Sequence, residues 1–214
     1  SFSSVEVLGA VRFDLFAGEV HVLAGENGAG KSTLMKILAG VHTDYEGQIL
    51  IQGKPVRFSS VQDAAVEGIS VIHQELSLVG PMSVTDNIFL GREMTSLMML
   101  NKKESNRKAR DMIADLGIEL DVTAGMEEYP ISVQQMIEIA KALSLQSRII
   151  VMDEPTSALN DVDVEKLFAI ISQLKNKGCG IIYISHKMEE IYRIADRITV
   201  LRDGRYITTQ EAQE

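Results

Sequence analysis

Two spacings of apolar residues alternate along this chain. Short aliphatic and β-branched runs stand at residues 20–24, 68–72, 148–152, 180–184 and 197–201. Runs of this length bounded by glycines or charges read as strands of a buried sheet. Residues 47–53 instead alternate apolar and polar and read as an edge strand or hairpin. The run at 197–201 reads as the last strand, and Asp203-Gly204 behind it offers a tight turn. Helical composition fills residues 32–39, 161–175 and 187–194. Strand followed by helix, repeated, is the signature of an α/β fold with a mostly parallel sheet.

The stretch from 83 to 145 breaks that rhythm. It offers no convincing strand, and residues 103–116 and 134–145 both read as helices. In the second, Met136, Ile139, Ala140 and Leu143 share one face. The expected organisation is one domain over residues 1–214, with an α/β core from 1–82 and 146–214 and a helical lobe inserted at about 83–145. No internal repeat or low-complexity tail interrupts it.

Composition narrows the function classes. Of 214 residues, 45% are hydrophobic and 24% charged, as in an ordinary folded domain. The net charge of −9 argues against a nucleic-acid backbone as main partner. No apolar run is long enough to cross a bilayer, and the first residues lack a signal pattern, so any membrane link is expected to run through a partner protein. The one cysteine, Cys179, reads as a small buried hydrophobe.

Chemistry is concentrated at two places. Gly25-Glu26-Asn27-Gly28-Ala29-Gly30-Lys31-Ser32 fits G-x-x-x-x-G-K-[ST] between a strand and a helix. Glycines let the backbone N–H groups turn inward at an anion, and the helix adds its positive end. Lys31 is placed to reach β- and γ-phosphates, and Ser32 to give an oxygen to Mg2+. Downstream, the run at 149–152 ends in Asp153 and Glu154. A P-loop fold is expected to set a second strand beside the P-loop strand, bringing an acid to the magnesium. Asp153 suits that role, and Glu154, next along, suits a base for an attacking water. Its side chain is expected on the other face of the strand or on the turn beyond.

Together these residues resemble the nucleotide-binding domain of ABC transporters, from Phe2 to about Thr209. GENGAGKST at 25–33 resembles the Walker A motif and IIVMDE at 149–154 Walker B. Gln74 matches the Q-loop glutamine, residues 157–161 (SALND) the D-loop, and His186 the switch histidine. Phe2 stands where the family keeps an aromatic that stacks on adenine. The wording of LMKILAGV, IHQELSLV, NIFLGRE and QMIEIAKALS is closest to the first half of sugar-importer ATPases of the ribose, galactose and xylose type. The signature segment is a departure. It is expected ahead of a helix beginning near Gln135, but Ile131-Ser132-Val133-Gln134-Gln135-Met136 is two residues short of the subgroup pattern, with Ser132 at the signature serine.

The resemblance implies an α/β P-loop NTPase with a mostly parallel core, an antiparallel β subdomain and an inserted helical lobe. It implies Mg-ATP held by Gly25, Glu26, Asn27, Gly28, Ala29, Gly30, Lys31, Ser32 and Thr33, with Phe2 and Asp161. Ser32, Gln74 and Asp153 would serve the metal, and Glu154, His186 and Gln74 the reaction. Ser132 would touch the ATP held by a second such domain. It further implies a membrane permease, an indirect extracytoplasmic sugar-binding protein, and a place on the cytoplasmic face of the bacterial inner membrane. The competing class is an ABC-type ATPase of DNA repair or chromosome maintenance. It expects long coiled-coil insertions, and no sustained heptad run is present. A P-loop kinase leaves the D-loop and His186 unexplained, and an ATP-binding module without turnover leaves Glu154 unexplained.

Overall fold

The run at 20–24 folds as β1 (Val20–Ala24), buried along nearly its whole length and paired with a strand on each edge. The computed structural model describes residues 7–74, 76–96, 99–145 and 147–212, and Phe2 lies outside them. The chain divides into two units, one built from the segments up to 71, 147–154 and 171 onward, the other from 72–146 and 155–170.

In the first unit, β1 leads through the glycine turn into α1 (Lys31–Leu38). A hairpin of β2 (Ile49–Ile51) and β3 (Lys54–Val56) follows, then α2 (Val61–Val66) and β4 (Ile69–Ile72). The later strands are β7 (Ile149–Asp153), β8 (Gly180–Ile184), β9 (Arg197–Arg202) and β10 (Arg205–Glu211), with α7 (Met188–Ile194) between β8 and β9. The six-stranded sheet runs β10-β9-β1-β8-β7-β4. β9, β1, β8 and β7 are parallel, and β10 turns back antiparallel through Asp203-Gly204. Leu23, Val151, Ile182, Ile184 and Leu201 pack with Met35 of α1 and Phe58 on one side of this sheet.

Parallel strands end together, so the C-terminal ends of β1, β7 and β8 share one edge. Opening edges of this kind are where α/β sheets place ligands. The strand with the acids is not beside β1, however: β8 lies between β1 and β7. Its run GIIYI is buried at every position, as in a parallel sheet covered on both faces. β10 was not expected as a strand. It is an edge strand with mostly exposed side chains, so burial leaves little pattern in its sequence.

The second unit holds α3 (Val84–Ile88), the two-residue strands β5 (Thr95–Ser96) and β6 (Met99–Leu100), α4 (Lys102–Asp115), a 3-10 turn (Met126–Glu128) and α5 (Ile131–Ser144). α6 (Asp161–Asn176) begins in this unit. β5, β6 and the five-residue α3 are too short to show a period, so a stretch read as strandless carries a small hairpin. Buried Asn87 secures the chain before α3: its Oδ1 accepts the Val79 N–H at 2.7 Å, and its amide donates to the carbonyls of Val79, Met82 and Ser83. α5 starts earlier than its apolar spacing implied, because Pro130, with φ of −61°, already sets the chain on a helical entry. It is also buried more widely than one face. Gln135, Ile137 and Glu138 are covered along with Met136, Ile139 and Ala140, since α3 and α4 both pack in this unit.

Candidate nucleotide site

The phosphate turn is a backbone object. Gly28 and Gly30 hold φ of 84° and 98°, a region that a side chain strongly disfavours. At Gly30 a Cβ would also stand 2.4 Å from Leu8 Cδ2, whereas at Gly28 it would meet nothing within 4 Å. The face of the turn beside Gly28 is therefore open to a ligand. Within the turn the Ala29 N–H donates to the Glu26 carbonyl at 3.1 Å. The Lys31 ammonium donates to the carbonyls of Gly25 at 2.7 Å and Glu26 at 3.0 Å, which holds it against the turn. Glu26, Asn27 and Ser32 are exposed, Thr33 is half-buried in α1, and Ala29 is buried.

Asp153 ends β7, paired in register with Ile184 of β8. Glu154 then leaves the strand with φ of 47°, a left-handed backbone rarely adopted by a side-chain-bearing residue. Its N–H donates to the Ile184 carbonyl at 2.9 Å. Glu154 lies on the turn beyond β7, the second of the two places expected for it, and its Oε1 lies 3.0 Å from His186 Nδ1. Sequence reading gave these two residues separate tasks and missed their contact, which bridges 32 positions and leaves no local mark. The imidazole is 71% exposed and the carboxylate 23%. A carboxylate and an imidazole thus stand in contact at the same sheet edge as the phosphate turn.

Around His186, Glu190 of α7 is buried and accepts the hydroxyls of Tyr183 and Ser185. Sequence reading missed this residue too. Its only signal is an acid in the first turn of the helix after the histidine.

The other expected site residues belong to the second unit. Gln74 is exposed two positions beyond β4. Ser132 is half-buried inside the first turn of α5 and not in a loop ahead of it. Asp161 is exposed at the start of α6, where Asn160 caps the helix by accepting the Asp163 N–H at 3.0 Å. Lys31, Ser32, Asp153, Glu154 and His186 are all carried by the first unit.

The donor set suits magnesium. Ser32 and Asp153 offer hard oxygens, and among the described residues no group of three or more His, Cys, Asp or Glu could hold a metal by itself. Magnesium takes hard oxygens of this kind, commonly one or two from protein with the rest from phosphates and water. Burial pushes the Cys179 thiol up to about 11, so it stays protonated and unreactive.

Residues 8–157 match the family described as ABC transporter, and the chain belongs to that family. It is 50% identical over 214 residues, 99% of its length, to a protein of Albidiferax ferrireducens named for ribose/galactose/methyl galactoside import ATP binding. It is 49% identical over its full length to a ribose import ATP-binding protein of Hahella chejuensis. The chain spans only 42% and 43% of the length of these curated relatives. Among solved structures it resembles a nucleotide-free ATP-binding cassette from an ABC transporter, with a TM-score of 0.88 at 21% identity over all of this chain and 88% of the other. A dimeric cassette in a post-hydrolysis state with ADP and Pi gives 0.83 at 21% identity, over 97% and 91%. These structural likenesses establish the fold, an α/β cassette.

Proposed function

We propose that this chain binds and hydrolyses Mg-ATP as one half of the ATPase of a sugar importer in the ribose, galactose and xylose class. The observation that carries the hydrolytic reading is the Glu154–His186 contact at the edge that also bears the glycine turn. In this reading the turn amides and Lys31 bind the phosphates. Magnesium, when bound, neutralises phosphate charge, and Ser32 and Asp153 would hold it. Glu154 takes a proton from the attacking water, and His186 orients the Glu154 carboxylate through Nδ1. Gln74 is the candidate sensor of magnesium and γ-phosphate, Asp161 is a further candidate nucleotide contact, and Ser132 faces the nucleotide of a second domain. Phe2 is the candidate for stacking on adenine. Phosphoryl transfer needs little more than such positioning and charge.

The sugar reading rests on the names of relatives about 50% identical. No helix among the described residues is long and apolar enough to cross a membrane. In this reading a permease fed by a sugar-binding protein holds the chain at the cytoplasmic face of the bacterial inner membrane.

Glu154→Gln should keep nucleotide affinity and lose turnover by on the order of 10²–10⁴-fold, the worth of a general base. Lys31→Ala should lose roughly 2–5 kcal/mol of binding, as a phosphate charge left without its partner. Turnover at the parent rate in Glu154→Gln removes Glu154 from the mechanism. For transport, vesicles carrying the whole protein with its permease should accumulate labelled ribose or galactose only with ATP inside. ATP hydrolysis without sugar accumulation would refute the importer assignment alone.

A further inference from the structure

Residues 185–187 are the whole connection between β8 and α7. His186 sits in the middle of it with an exposed ring, so nothing in its own packing fixes where the imidazole points. Its neighbours are fixed instead by one side chain. Glu190 is 7% exposed. Its Oε2 accepts the Tyr183 hydroxyl at 2.8 Å and the Ser185 hydroxyl at 3.2 Å, and its Oε1 lies 3.0 Å from the Lys187 ammonium. The Ser185 oxygen in turn accepts the Lys187 N–H at 3.0 Å.

The directions are forced. A carboxylate only accepts, so both hydroxyls must donate to it. Ser185 has one proton, spends it on Glu190, and keeps a lone pair for Lys187. The residue before His186 and the residue after it are therefore tied to each other and to a carboxylate anchored on Tyr183 in the sheet. Tyr183 is fully buried and lies within β8, in register with Met152 of β7. Satisfying Tyr183 alone would need only one neutral acceptor. Convergence of two hydroxyls and an ammonium around the His186 turn is more than that task requires.

We propose that Glu190 is a positioning residue for His186: it locks the 185–187 turn so that Nδ1 meets Glu154, and it sets the rate of hydrolysis without touching nucleotide. The kinetic part rests on the hydrolytic reading given above, whereas the positional part does not.

The test uses Glu190→Ala, Glu190→Gln and Ser185→Ala, each alone and combined with His186→Ala. Together with the second nucleotide-binding half, Glu190→Ala should lower kcat by on the order of tenfold to a hundredfold, the cost of a misplaced group, with KM unchanged. In the His186→Ala background the same change should add no further loss, because the two residues act as one. Ser185→Ala should follow in the same direction, and Glu190→Gln, which still accepts both hydroxyls, should recover much of the rate. In parallel, imidazole ¹⁵N spectra of the chain should show the His186 signals moved in Glu190→Ala while those of His21, His42 and His73 stay. An equal rate loss with and without His186, or unmoved His186 signals, overturns the proposal. A parent that hydrolyses no ATP overturns the hydrolytic reading, and the spectra then still decide whether Glu190 positions the ring.

Discussion

His21 is fully buried, and its protonation belongs to folding and not to catalysis. Arg197 Nη2 lies 3.3 Å from Nδ1, and an arginine can only donate, so Nδ1 is the acceptor and the ring is neutral. The proton then sits on Nε2 and is donated to Thr199 Oγ1 at 2.7 Å, which frees the Thr199 hydroxyl to donate to Thr209. Burial lowers the His21 pKa, outweighing the opposing pull of Glu19, and Arg197 lowers it further. Between that lowered value and the ordinary 6.5, the unfolded chain holds more protons than the folded one, so stability rises with pH there. Urea midpoints should therefore fall as pH drops below about 6.5, and His21→Gln should remove that component of the slope. An unchanged slope in His21→Gln would place the acid sensitivity elsewhere. Lys31 and Ser32 are legible in sequence because their motif spells out a backbone shape. The His21 chain is not, because it joins residues brought together only by sheet register.

Among the elements, legibility follows how much burial each strand or helix imposes on its own sequence. β7 and β8 are covered on both faces and announce themselves as unbroken apolar runs. α2 has the exposed Val61 and Val66 at its two ends, which obscures its period, and Ser60 caps it by accepting the Asp63 N–H. The order of strands is not written in any one of them, so the place of β8 between β1 and β7 emerged only from pairing. Asn87 is a similar case, a polar residue that looks like surface and lies at no exposure. Asn87→Ala removes its amide donors and leaves the Val79 N–H without its acceptor. Losing buried hydrogen bonds of this kind costs about 2–4 kcal/mol. Thermal melting should show that loss, together with faster amide exchange at Val79 and the residues up to Ser83. Slow exchange there in the variant would mean that the loop is held by other means.

At the scale of the whole molecule, the chain spans well under half of its curated relatives. The proposed site is a shared one, with Ser132 serving the nucleotide of another domain. The isolated chain should then hydrolyse ATP slowly, with specific activity rising with protein concentration or on addition of the second half. Gel filtration with Mg-ATP should show the same dependence in Glu154→Gln, which accumulates the associated form. Fast turnover independent of concentration would mean that each chain is complete alone. The signature segment is where sequence reading and structure diverge most in this respect. Ser132 lies in the first turn of α5 and not ahead of it.

Glu154 has a left-handed backbone, and in the base role proposed for it that conformation would set heat resistance against turnover. A side-chain-bearing residue held in that conformation costs roughly 1–2 kcal/mol, and glycine would hold it with no such penalty. The contact given up with His186 is partly solvated and worth little. Glu154→Gly should therefore melt a few degrees higher than the parent, since about 1 kcal/mol moves a chain of this size by roughly 2–4 °C. It should also be inactive. A laboratory screen that rewards survival at high temperature and never asks for hydrolysis should find glycine at this position early. Lineages released from the need to hydrolyse would drift the same way. Calorimetry on the single variant checks the premise, and a melting point below the parent's would show that the strain relieved is smaller than the chain entropy and the His186 contact given up.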